Sequence, residues 1–230
     1  LSNLFFIKNF ISPYNLTTID QFLLSFMQVG KYYTKRVMFK QAGIIVDEVH
    51  LLNPLMLDLL RYFINQYRQL YDLKVLFMSA TLPKALAQYL QNNFKITEFL
   101  DCSNGYEKKR RIMWKFEDEY IESQISTIVA EKRSGKKVLV IVNTVEKAIE
   151  IGKKLKNEFG LMYDEDFIVF HARFMYKHRR KKEQWLELKR KQAHIAVTTQ
   201  VCEVSLDISY DILFTELSST PSIIQRFGRV

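Results

Sequence analysis

Asp47-Glu48-Val49-His50 stands directly after a short apolar run, Gly43-Ile44-Ile45-Val46. Two adjacent acids after a buried strand suit phosphate chemistry. One carboxylate can hold magnesium through its water shell while the next polarises an attacking water. The same pair could equally end a strand in solvent, and a tetrapeptide alone does not separate these readings. Ser79-Ala80-Thr81 follows a second apolar run, Val75 to Met78. Small hydroxyl residues there could hydrogen-bond to the acids and relay nucleotide state, although Thr81 also suits a plain helix cap before Leu82-Pro83. The third piece lies far along the chain at Gln225-Arg226-Phe227-Gly228-Arg229. Arginines of this kind could clamp a γ-phosphate and stabilise charge developing in transfer. A lone QRxGR also fits a solvated helix face.

These residues need elements to position them. Gly43 to Val46 reads as a buried parallel strand, and Asn53-Pro54 as the N-cap and first residue of a helix. Met56, Leu59, Leu60, Phe63, Tyr67 and Leu70 then recur at helical spacing. Val75 to Met78 is the next strand, and Pro83 opens a helix to about Asn92. From Cys102 to Arg111 the pattern gives way to a turn-like SNGY and a charge block. Beyond it the spacing predicts a helix over Glu119–Lys132 with Gly135 as its stop, and a strand over Val138–Val142. A helix follows over Thr144–Glu158, with Gly160 near its end. Then come a strand over Phe167–Phe170, a basic helix over Lys177–Lys191 and strands at His194–Thr198 and Ile212–Phe214. A short helix from about Ser222 closes the pattern. Strands alternating with crossover helices predict an α/β protein with parallel sheets. The expected boundaries are residues 1–105 and 119–230 for two lobes, with 106–118 as linker. Ligands of such sheets gather at the carboxyl ends of strands, which is where the candidate residues fall.

Composition excludes several classes. Of 230 residues, 48% are hydrophobic and 26% charged, enough for a core and not the balance of a disordered chain. Two cysteines, four histidines and no HExxH or CxxC rule out a disulfide framework or four-thiolate zinc site and argue against a histidine-rich metal centre. The longest apolar runs are strand-sized, so no membrane partner is expected. The start, LSNLFFIKNF, has no signal-peptide layout, and a cytoplasmic location is expected. The net charge of +9 makes a polyanion partner plausible. Much of it lies in KHRRKKEQWLELKRK, where Trp185, Leu186 and Leu188 indicate packing as well. That helix reads as a solvated surface that adds long-range attraction.

The order and spacing of these motifs resemble superfamily two helicases of the DExH type. DEVH matches their Walker B motif, SAT their coupling motif, Val197 to Ile208 (VTTQVCEVSLDI) the motif touching nucleic acid and ATP, and QRFGR the arginine-finger motif. A closer resemblance is to the helicase part of the helicase–nuclease of type I CRISPR interference. It rests on Thr17-Thr18-Ile19-Asp20-Gln21, on His171-Ala172-Arg173-Phe174 with Arg179-Arg180, and on the string from Thr198 to Val230.

The resemblance implies two RecA-like lobes, ATP and Mg2+ as cofactors, single-stranded DNA as substrate and a CRISPR surveillance complex as partner. Asp47 would hold magnesium through water, Glu48 would be the catalytic base, and His50 would contact the coupling motif or the opposite lobe. Ser79, Thr81, Asp207, Gln225 and Arg226 would bind ATP or couple to it, with Arg229 in the catalytic set. Thr18, Asn143, Thr144 and Thr199 would touch one nucleic-acid strand, although Thr18 and Thr144 also suit plain N-caps. His171 fits either a packed or a functional role. The chain departs from the family in having no GxxxxGK[ST] or GxGK[ST] loop to cradle phosphates. The expectation is an internal fragment with an incomplete first lobe, unable to hydrolyse ATP alone, whose first sheet exposes an edge and apolar surface. Other readings at this stage are an RNA or DNA-repair helicase and a non-catalytic nucleic-acid-binding module.

Overall fold

The computed structural model describes residues 10–102, 112–205 and 209–230. The chain divides into two units, Leu1–Ser103 and Asn104–Val230. Residues 106–111 of the expected linker lie outside the described residues, and 112–118 carry no regular secondary structure apart from a bend.

The first unit begins with α1 (Ile19–Phe26) and α2 (Tyr32–Val37). Phe22 and Phe26 of α1 pack rings against Phe39, and Phe26 also stacks on Phe63. Strand β1 (Gly43–Val46) pairs in parallel with β2 (Lys74–Phe77), Ile45 opposite Leu76. Between them runs α3 (Pro54–Tyr71), whose start follows from its sequence. Asn53 accepts a hydrogen bond from the Met56 N–H at 2.8 Å, and Pro54 needs no N–H partner there. Helix α4 (Lys84–Phe94) completes the unit. Ile44, Val46, Val75 and Phe77 join the core with Leu57, Leu60 and Phe94. Their neighbours on the other face, Ile45 and Leu76, remain 64% and 52% exposed.

The second unit carries a four-stranded parallel sheet in the order β4-β5-β3-β6. Its elements are α5 (Ile125–Arg133), β3 (Val138–Ile141), α6 (Val145–Asn157), β4 (Phe167–Phe170) and α7 (Tyr176–Leu188), followed by β5 (Ile195–Thr198), α8 (Val201–Ser205), β6 (Ile212–Thr215) and α9 (Thr220–Phe227). Every residue of β3, β4 and β5 is buried, as expected when helices cover both faces of a parallel sheet. Val138, Val140, Ile128 and Ile151 fill one layer, and Leu139, Ile141, Ile168 and Leu186 the other.

Two helix limits differ most from the sequence pattern. Residues 119–120 precede the helix, because the Glu119 carboxylate accepts hydrogen bonds from the Ser123 hydroxyl and the Gln124 amide instead of joining a turn. A single 3₁₀ turn at Ile121–Gln124 leads into α5. The basic helix stops at Leu188, where successive turns bring the Arg190 N–H to the Glu187 carbonyl and the Gln192 N–H to that of Lys189. Gly135, at φ +94°, turns the chain out of α5 in a conformation that costs glycine little.

Candidate functional site

Two motifs separated by 29 positions meet at the ends of β1 and β2. The ladder runs past the strands: the Met78 N–H donates to the Val46 carbonyl at 2.9 Å, and the Val49 N–H to the Met78 carbonyl at 3.1 Å. Glu48 takes a left-handed conformation, φ +50° and ψ +44°, and so turns the chain off the strand into the 3₁₀ turn Val49–Leu51. Left-handed backbone at a non-glycine is uncommon and marks a position fixed by its surroundings. Those surroundings include His50, whose side chain is only 2% exposed and whose Nδ1 lies 2.7 Å from the Ser79 hydroxyl oxygen. Ser79 donates its single proton to the Thr81 carbonyl at 3.0 Å, so His50 Nδ1 must be the donor to Ser79. The same Nδ1 lies 3.3 Å from Glu48 Oε2. Asp47 is exposed, and its Oδ1 accepts the Glu48 N–H at 2.9 Å. Thus Asp47, Glu48, His50, Ser79 and Thr81 form one cluster, with Asp47 exposed, Glu48 half-buried and its Oε2 enclosed beside the imidazole.

Asp47 offers the hard oxygen donor that magnesium prefers, and magnesium normally keeps several waters beside one or two carboxylates. Among the described residues no group of three His, Cys, Asp or Glu could enclose a metal ion. An exposed carboxylate of this kind fits an ion held through its water shell.

In the second unit the expected residues separate into two environments. Arg226 is fully buried. Its Nε donates to Glu203 Oε1 at 2.8 Å, Nη1 to the Thr215 hydroxyl at 2.8 Å and the Glu216 carbonyl at 3.0 Å, and Nη2 to Asn143 Oδ1 at 3.0 Å. Asn143 is equally occupied: its N–H donates to Glu216 Oε2 at 2.6 Å and its side-chain amide to the Leu217 carbonyl at 2.7 Å. Gln225 and Arg229 are half-buried, and Arg229 Nη2 donates to the Glu203 carbonyl. Thr144 is exposed and caps α6, its hydroxyl accepting the Lys147 N–H at 3.3 Å. Thr199 is buried just past the end of β5. Thr18, in the first unit, is exposed at the N-cap of α1 with no side-chain cap. Asp207 lies outside the described residues.

His171 is buried at the end of β4, with its ring stacked on Phe174 at 4.1 Å. Burial first, then the charges of Lys182 and Arg173, hold its pKa below the ordinary histidine value. A groove of about 1380 Å³ runs between residues 112–120 and β6, touching Asn143 and Thr144 but none of the other candidates. Sequence reasoning missed Glu203 and Glu216, which anchor the arginine network. Glu216 had a usable signal, since it follows a strand as Asp47 does. Among the described residues no helix is long and apolar enough to cross a membrane.

Residues 134–230 match the family described as CRISPR-associated nuclease/helicase Cas3, C-terminal. The chain is 31% identical over 238 residues to a putative CRISPR-associated nuclease/helicase Cas3 of Methanocaldococcus jannaschii, covering 96% of this chain and 31% of the relative. It is 27% identical over 257 residues to the CRISPR-associated endonuclease/helicase Cas3 of Escherichia coli, covering 97% and 29%. The chain therefore spans about three-tenths of the length of these relatives. The solved structure of T. fusca Cas3 with AMPPNP superimposes with a TM-score of 0.75 at 19% identity, over 95% of this chain and 30% of that one. The S. cerevisiae dbp5 bound to gle1 and ip6 shares the fold more distantly, at a TM-score of 0.51 and 15% identity over 93% and 53%. The architecture is that of RecA-like lobes with parallel sheets.

Proposed function

We propose that this chain, a relative of the CRISPR-associated nuclease/helicases along nearly its whole length, is part of an ATP-driven motor that moves on single-stranded DNA during CRISPR interference. The observation that carries the reading is the junction of Asp47-Glu48-Val49-His50 with Ser79-Ala80-Thr81 through His50 Nδ1 and the Ser79 hydroxyl. A strand end needs no buried histidine to terminate it, whereas a phosphate site needs its acids held to a fixed geometry.

In this reading Asp47 would hold magnesium through water, and the ion, when bound, would supply charge neutralisation at the nucleotide phosphates. Glu48 accepts the proton of the attacking water. His50 and Ser79 keep the Glu48 turn in place and connect it to Thr81. Gln225 and Arg229 serve the nucleotide, with Asp207 at its ribose, while Thr18, Asn143, Thr144 and Thr199 lie along the nucleic-acid path. Phosphate positioning is most of the catalysis in phosphoryl transfer, and no phosphate-cradling loop is among these 230 residues. The 230-residue chain by itself is accordingly inactive. The motor is a property of the intact protein, which works in the cytoplasm with a surveillance complex that marks its DNA.

The test is ATP turnover by the intact protein with single-stranded DNA, single-stranded RNA or neither. DNA stimulates turnover, and Glu48→Gln lowers it by roughly 10²–10⁴-fold, the range for a lost general base. Stimulation by RNA alone overturns the DNA assignment. Full activity in Glu48→Gln overturns the assignment of the base.

A further inference from the structure

The Arg226 side chain is wholly enclosed, and the four acceptors named for it come from three separate segments. Glu203 lies in α8, Thr215 ends β6, Glu216 follows it, and Asn143 follows β3. Asn143 then passes the constraint on. Its N–H is held by Glu216 Oε2, whose other oxygen receives Lys147 Nζ, and its carbonyl accepts the Gln200 side-chain amide at 3.0 Å. The carbonyl of Glu203 takes the Arg229 guanidinium, closing the circuit back to the end of α9. Three post-strand segments, 142–144, 199–203 and 215–217, thus share one cation.

Stability alone does not explain a charge in this place. Removing a guanidinium from water is costly, and a well-packed apolar residue often serves a core equally well. A planar fork does something an apolar residue cannot, since it fixes the angles between acceptors on separate loops. Lysine, whose three N–H donors all sit on one nitrogen, cannot reproduce it.

We propose that Arg226 is a positioning residue that locks the three segments to α9, so that the groups facing nucleic acid and the groups facing nucleotide shift as one body. The inference rests on the motor reading above and deepens it. Arg226 touches neither ligand. Asn143, with both ends of its amide engaged inside the unit, serves the same lock, and Thr144 beside it is carried by it.

The experiment compares Arg226→Lys, Glu203→Gln and wild type in the intact protein, with two readouts. The first is steady-state ATP turnover with and without single-stranded DNA. Arg226→Lys lowers the stimulation by DNA about tenfold, within the usual range of coupling between sites, and leaves the KM for ATP unchanged. A raised KM with normal stimulation makes Arg226 a nucleotide ligand and overturns the proposal. Normal kinetics beside a lowered Tm reduces it to a structural brace and also overturns it. The second readout is amide hydrogen exchange, which needs no activity. In either variant the amides of Asn143, Cys202 and Glu216 exchange at least about fivefold faster together, while β4 and β5 stay protected. Loosening confined to α9 overturns the lock. If wild type shows no DNA-stimulated turnover, the motor reading fails, and the exchange pattern still decides whether the lock exists.

Discussion

Both units place chemistry-bearing residues at the ends of short parallel strands, but they hold them by different means. In the first, β1 and β2 bury only alternate residues, and the acids are fixed locally by a left-handed turn and the His50–Ser79 hydrogen bond. In the second, three strands are buried throughout, and the polar residues are tied by a buried cation that spans the sheet ends. The local device tolerates a half-exposed sheet because every partner lies within two strand ends. The spanning device needs a rigid sheet, since a guanidinium can bridge three loops only if the strands beneath them keep their spacing.

The contrast can be broken most forcefully by truncating equivalent strand residues. Leu139→Ala, at a fully buried position in β3, destabilises the second unit by about 2–5 kcal/mol. Leu76→Ala, at a position 52% exposed in β2, costs the first unit less than about 1 kcal/mol. Denaturant unfolding monitored in each unit measures both, and equal costs would dissolve the distinction between the two sheets. A smaller effect comes from Gly152 in α6. A Cβ there would sit 2.6 Å from Val169 Cγ2, so helix and sheet are already in close contact. Gly152→Ala therefore costs about 1–3 kcal/mol from overpacking, offset in part by the better helix propensity of alanine. A gain in stability in the same melt would show that α6 can ride away from β4.

Much of this was legible in the residues themselves. Strand ends, the Asn53-Pro54 helix start and the position of the acids followed from period, capping chemistry and the rule that strand termini carry ligands. The arginine network was not, because its members lie as far as 83 positions apart and a charged residue reads by default as surface. Arg226 and Arg229 look alike in QRFGR, and only the three-dimensional path of α9 turns one inward. The end of the basic helix at Leu188 was likewise illegible, since Lys189, Arg190 and Lys191 are good helix formers overruled by the turn that leads to β5.

A further difference concerns acid. His194, buried in the second unit, donates from Nδ1 to the Gln192 carbonyl at 2.8 Å and faces the Tyr210 hydroxyl at 3.0 Å. Burial lowers its pKa, as it does for His171. A neutral folded histidine leaves the unfolded chain binding more protons, so stability is full above the ordinary value near 6.5 and falls as pH drops below it. Each such group contributes at most about 1.4 kcal/mol per pH unit. Melting between pH 7.5 and 5.5 shows a declining Tm for the second unit, and His194→Gln flattens the decline. An unchanged slope in that variant would assign the effect to His171 or to the carboxylates.

The smallest effect separates two readings of one residue. Thr144 caps α6 through its hydroxyl at 3.3 Å, whereas the Asn53 cap of α3 is shorter at 2.8 Å. Alanine at either cap costs about 0.5–2 kcal/mol, with Thr144 at the low end because its bond is longer. Aspartate at position 144 keeps the capping oxygen and adds a negative charge beside the helix N-terminus, where the macrodipole favours it. Thr144→Asp therefore leaves the Tm unchanged or slightly raised. A residue that only caps would show no other consequence. If Thr144 also lies along a phosphate backbone, the new carboxylate repels it, and oligonucleotide affinity falls in Thr144→Asp while Thr144→Ser binds as wild type. Fluorescence anisotropy with a labelled single strand, at one fixed salt concentration, distinguishes the two, because capping is preserved in both variants and only the charge differs.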